Sequence, residues 1–149
     1  MQIADLCRDS VTVVGRGSPI HEAALLMRRY HVGAVVVVDT VEGRQIPSGI
    51  VTDRDIVVSV VAMGLDPREL TAGEIMGDDL ITVPENYDVH EALTRMREEG
   101  VRRMPVVNDL GELKGIITFD DLLPLVAEEL AGLARLPSTG RKRECALRH

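Results

Sequence analysis

"GIVTDRD" at residues 49–55 and "GIITFDD" at residues 115–121 carry the architecture of this chain. Each runs glycine, two β-branched residues, threonine, two variable residues, aspartate. The threonines are 118 − 52 = 66 positions apart and the aspartates 121 − 55 = 66. A motif repeated at the end of the same kind of apolar run points to a duplicated unit.

The duplication extends outward from these motifs. "SVTV" (10–13) answers "LITV" (80–83) at an offset of 70, and "HEA" (21–23) answers "HEA" (90–92) at 69. "VVVVD" (35–39) answers "MPVVN" (104–108), also at 69. One gap near residue 15 and a three-residue gap within 40–48 reconcile the offsets. Loops tolerate such gaps.

Each unit has the same local grammar. A short β-branched strand is expected at 11–14 and again at 80–83. A helix follows. In the first unit Ser18 is expected as its N-cap and Pro19 as its first helical residue. Ile20, Ala23, Ala24 and Met27 then form an apolar stripe at helical spacing. In the second unit Asp88 caps, Glu91 sits three later, and Val89, Ala92, Leu93 and Met96 form the stripe, ended by Gly100. Two strands come next, "GAVVVVD" with "SGIVT" and "RMPVVN" with "KGIIT". Their nearly continuous apolar runs predict burial on both faces. A last helix is expected at 53–63 and at about 119–131, with Pro124 kinking the second or delaying its start. The order is β-α-β-β-α, twice, an α/β protein. The expected divisions are 1–66, 67–131 and a basic tail, 132–149. The linker 64–76 carries a turn at Asp66-Pro67 and a short helix capped near Thr71, and "PSTG" (137–140) is expected as a loop.

Composition limits the functional classes. The 149 residues are 45% hydrophobic and 28% charged, as in ordinary globular proteins. Net charge is −7; the four basic residues and one glutamate of 141–149 give +3, leaving −7 − 3 = −10 on the rest. That acidic body, with 2% aromatics, argues against nucleic-acid binding. Residues 1–10 do not resemble a signal peptide, no apolar run reaches the length of a membrane span, and the two cysteines read as reduced thiols. A cytoplasmic protein is expected.

Thr-x-x-Asp before a helix has a simple reading as a helix cap. Three features favour a further role. Asp stands in both motifs where a capping box prefers the longer Glu. Each motif lies at a strand-to-helix junction, where free N–H groups and the helix dipole attract anions. Each follows a glycine that permits close approach, although a tight strand would also explain it. A Thr hydroxyl can donate to a phosphate, and an ionised Asp can accept both hydroxyls of a ribose. His21, His90, Cys7 and Cys145 match no metal-ligand spacing, so no metal site is expected. No nucleophile–base set supports an enzyme.

The doubled pattern, "GIVTDRD", "GIITFDD" and "GVRRMPVVN" (100–108) resemble tandem CBS domains over about residues 1–130. "TDRDIV", "GLDP" and "TAGE" are similar to small stand-alone bacterial members, including hypoxic-response types. The resemblance implies two repeats joined through their sheets with pseudo-twofold symmetry, and two clefts for AMP, ADP or ATP, with S-adenosylmethionine or NAD as further candidates and no catalytic cofactor. It implies Asp55 and Asp121 on ribose, Thr52 and Thr118 towards phosphate, and Arg102 or Arg103 on phosphate. The first repeat has Gly33 and Ala34 in those last places, and Arg54 is a possible substitute. Ala34 and Met104 complete the candidate set. The cleft using Asp121, Thr118 and the arginine pair is expected to bind anionic nucleotides more tightly. The resemblance also implies a homodimer, formed through the apolar helix 57–63, and a protein target that the sequence does not name. The alternative is a ligand-free dimerising adaptor in which Thr-x-x-Asp only caps helices.

Overall fold

The computed structural model describes residues 1–7 and 11–148, with side chains described through residue 135. Among the described residues lie two three-stranded sheets of the same topology. In the first, β1 (Val13–Gly15) runs parallel to β2 (Ala34–Val41), which pairs antiparallel with β3 (Arg44–Thr52). In the second, β4 (Val83–Pro84) runs parallel to β5 (Arg103–Val107), which pairs antiparallel with β6 (Leu113–Thr118). A parallel pair needs a crossover. α1 (Ile20–Tyr30) and α4 (Val89–Glu99) supply it. The register of each antiparallel pair shifts at matching points, after Val37 and after Val106, 106 − 37 = 69 apart.

The three-residue gap is a difference in hairpin length. From Ala34 to its partner Thr52 is 52 − 34 = 18 positions, and from Arg103 to Thr118 is 118 − 103 = 15. The longer hairpin turns at Glu42 and Gly43, both at positive φ (51° and 76°). In the shorter one the Asn108 Oδ1 accepts the N–H groups of Leu110 (3.0 Å) and Glu112 (2.9 Å).

The helical stripes are where the spacing puts them: Ile20, Ala23 and Met27 are buried on α1, and Val89, Ala92 and Met96 on α4. The start of α1 differs by one residue. Pro19 is its cap, in extended conformation, and the Ser18 hydroxyl instead accepts the Gly15 N–H at 3.1 Å. Closing the turn after β1 occupies the oxygen that would have capped the helix. Both helices end in a left-handed residue, His31 (φ 53°) and its counterpart Gly100 (φ 68°).

The two cores exchange their outer pieces. Ala72, on α3 (Ala72–Ile75) of the linker, is buried in the first core with Val35, Val51 and Val60. Ile3 is buried in the second core with Met104, Ile117 and Leu122. Pro19 bridges Thr71, and Asp88 bridges Gln2. These bridges are related by the repeat offset, since 88 − 19 = 69 and 71 − 2 = 69. Each repeat is therefore completed by the segment that precedes the other. The first core crosses the expected 66/67 division, and the second reaches back to Ile3.

Gly49 serves this packing. A Cβ there would lie 2.9 Å from the Cβ and Cγ of Met76, so the glycine admits a linker side chain against β3.

The closing helices differ from expectation. α2 (Asp53–Ile56) passes into a π-helical turn over Val57–Val61, in which the Ala62 N–H reaches the Val57 carbonyl at 2.8 Å. Four valines in five residues crowd one another at α-helical spacing, and widening the turn relieves this. α5 (Phe119–Arg148) starts on time despite Pro124 and continues through the expected loop at 137–140 and most of the basic tail. A helix already propagating gains one bond per added residue, so weak formers need not end it.

Candidate functional site

Both Thr-x-x-Asp motifs fold into capping boxes. The Asp55 N–H donates to the Thr52 hydroxyl at 3.1 Å, and the Thr52 N–H donates to Asp55 Oδ2 at 2.9 Å. The corresponding Thr118–Asp121 distances are both 3.2 Å. Asp therefore reaches back far enough, and its use in place of Glu is no argument against capping. The pairs containing Glu make less complete arrangements. Thr71 bonds Glu74 side chain to side chain at 3.2 Å, and Asp88 accepts the Glu91 N–H at 2.8 Å.

A second bond fixes each motif beside the entry of the middle strand. The Asp53 N–H donates to the Gly33 carbonyl at 2.9 Å, and the Phe119 N–H to the Arg102 carbonyl at 2.7 Å. One residue on, Ala34 pairs with Thr52 and Arg103 with Thr118. Gly33 and Ala34 thus occupy the places of Arg102 and Arg103.

Two clefts form between the repeats, and each motif faces residues of the other repeat. The larger, about 420 Å3, is lined by Thr52, Arg54 and Asp55 from the first repeat and by Leu80, Ile81 and Val101 to Arg103 from the second. Asp53 and Asp79 also line it. The smaller, about 240 Å3, is lined by Ile116, Thr118, Asp121 and Arg103 from the second repeat and by Val11, Thr12 and His31 to Ala34 from the first. Apolar walls with a few convergent polar groups suit a planar organic ligand, and the larger volume lies in the range of small-molecule sites.

This arrangement corrects which arginines stand with which motif. Arg102 lines the Asp55 cleft, as Arg54 does, and Arg103 lines both clefts. The reason is that the clefts lie between repeats, whereas a sequence register pairs each arginine with its own repeat's motif. Arg102 is also held at the rim, with its guanidinium 4.9 Å from the Phe119 ring centroid and 3.5 Å from Asp120. Met104 does not belong to the lining. It is fully buried in the second core, because alternation along β5 turns it away from the side that Arg103 faces. Thr52, Asp55, Arg54, Thr118, Asp121, Arg102, Arg103 and Ala34 all line a cleft. Sequence reading missed His31, Asp53 and the 77–81 segment. The signal for them was the repeat register applied across the two halves.

Among the described residues, no group of three or more His, Cys, Asp and Glu side chains is placed to hold a metal ion. His90 instead pairs with Glu129 at 3.0 Å, joining α4 to α5.

Comparison with known proteins agrees with this architecture. The profile of the CBS domain matches twice, at residues 3–62 and 72–128. The uncharacterized protein MK0525 of Methanopyrus kandleri is 42% identical over 119 residues, 78% of this chain and 57% of that protein, so the chain spans little more than half of it. Hypoxic response protein 1 of Mycobacterium tuberculosis is 37% identical over 118 residues, 79% of this chain and 80% of that one. A crystal structure of Hypoxic Response Protein I with two coordinated zinc ions aligns at a TM-score of 0.72 and 35% identity, over 83% of this chain and 98% of that one. The cytosolic domain of the Mg2+ channel MgtE, solved in complex with ATP, aligns at 0.69 and 28% identity, over 83% of this chain and 48% of that one. With the profile matched in both halves and the same strand order in each, the chain belongs to the CBS-domain family as a tandem pair of repeats.

Proposed function

We propose that this chain is a non-catalytic regulatory module that binds an adenine nucleotide, AMP, ADP or ATP, or a related adenosyl compound, in the clefts between its repeats. The observation that carries the reading is the composition of the clefts. Each combines a Thr-x-x-Asp helix start, apolar walls and at least one arginine. Asp55 and Asp121 would accept ribose hydroxyls, and a carboxylate has oxygens enough to do this and cap a helix. The helix N–H groups with Thr52 or Thr118 would face phosphate. Arg54, Arg102 and Arg103 would supply the charge that a phosphate needs on an acidic body. The larger, arginine-rich Asp55 cleft is the primary site in this reading. The ATP-bound MgtE domain shares the fold and supports the ligand class. A thermal-shift screen across adenosyl compounds tests it, because a ligand bound only by the native state raises the midpoint. A rise with adenine nucleotides and none with the free phosphates or sugars is expected. No rise with any adenosyl compound would remove the proposal.

A second reading has its own observation. Both motifs close as complete capping boxes, which is what an adaptor using them only as caps would require. The same screen separates the two.

Self-association belongs to both readings. Val57, Val58, Val61 and Met63 leave a run of exposed apolar side chains around the π-helical turn, with Val61 66% and Met63 67% exposed. Contiguous patches of this kind are commonly interfaces. A homodimer in the cytoplasm, acting on a protein target, is the proposed working form. Among the described residues no helix is long and apolar enough to cross a membrane. Sedimentation at tens of micromolar should give a dimer, and Val61→Asp should give a monomer. A wild-type monomer under those conditions contradicts this.

A further inference from the structure

We propose that Arg103 couples the two clefts, so that a phosphate bound in one weakens phosphate binding in the other. This rests on the nucleotide reading above and adds a regulatory property to it. Among the described residues that line the clefts, Arg103 is the residue common to both. Its counterpart by the repeat register is Ala34, since 103 − 34 = 69, and Ala34 lines only the smaller cleft. A pseudo-twofold arrangement would place one such residue from each repeat at the centre. Here one of the two is a methyl group and the other a guanidinium.

One planar guanidinium can form a bidentate pair with only one phosphate at a time. The second phosphate would meet a committed donor set and a like charge nearby. The larger cleft has further arginines, but Arg102 leans on Phe119 and Asp120, and Arg54 stands beside Asp53 and Asp55. The smaller cleft has Arg103 as its arginine, with His31 the other basic side chain in its lining. The coupling is reciprocal, because it is a difference of binding free energies. Adenosine, which has no phosphate, should not be subject to it.

Calorimetry with ADP and with adenosine tests this on the full chain. Asp55→Ala and Asp121→Ala each leave one intact cleft. Under coupling, both remaining clefts bind ADP more tightly than the second event of the wild type, by roughly tenfold. With adenosine, one of the two variants matches the second event. Ala34→Arg supplies the missing guanidinium and should tighten the second ADP event; Arg103→Met should remove the difference between single and double occupancy. If either single variant matches the second ADP event of the wild type, the coupling is refuted while nucleotide binding stands. If neither ADP nor adenosine binds the wild type, both proposals fall.

Discussion

Asp55→Ala is expected to weaken ATP binding on the order of tenfold to a hundredfold. A hydrogen bond to a charged group contributes roughly 1.5–3 kcal/mol, and each 1.4 kcal/mol is a factor of ten. The same change also removes the bond from the Thr52 N–H, at 2.9 Å, so the cap of α2 weakens. Loss of a cap costs about 1 kcal/mol of stability. Asp55→Asn separates the two effects. It keeps a carbonyl oxygen for the cap but lacks the charge and one acceptor. Calorimetry should find Asp55→Asn nearly as weak for ATP as Asp55→Ala, with thermal stability closer to wild type. Equal ATP affinity in all three proteins would assign Asp55 to capping alone.

Met104→Ala is expected to act on stability and leave the clefts alone. Met104 is fully buried beside Val106, Ile117 and Leu122 in the second core. Truncating a buried Met to Ala costs about 2–5 kcal/mol through lost transfer energy and the cavity left behind. For a chain of ordinary marginal stability that is a large share of the total. Urea unfolding should show the loss, with nucleotide affinity of the folded fraction unchanged. Weakened binding without destabilisation would return Met104 to the ligand wall.

The repeat was legible because apolar periodicity and two short motifs recur at nearly constant offset. Strand order, helix stripes and the pairing of Gly33 and Ala34 with Arg102 and Arg103 follow from that register. The exchange of outer segments was not legible. Ile3 and Ala72 occupy equivalent places, yet "IAD" and "AGE" share no pattern beyond a trailing acid. The assignment of arginines was only partly legible. Sequence register relates residues within a repeat, whereas a cleft is made by the packing of one repeat on another, and there Arg102 and Arg103 serve different sets of neighbours. The continuation of α5 was hidden by Pro137, Ser138, Thr139 and Gly140. Their turn preferences are local, and tertiary context and helix propagation can override them. The π-helical turn in the Val57–Val61 run had a compositional cause but no periodic signal.

The central claim is that the paired clefts hold an adenosyl ligand through Asp55 and Asp121. Titration calorimetry of the wild-type chain and of the Asp55→Asn/Asp121→Asn double variant with ADP tests it most directly, because Asn retains an acceptor for each cap while removing the carboxylates. The account predicts saturable binding by the wild type and its loss in a folded double variant. Saturable binding of undiminished affinity in the double variant, or no binding by the wild type at millimolar ADP, would contradict it.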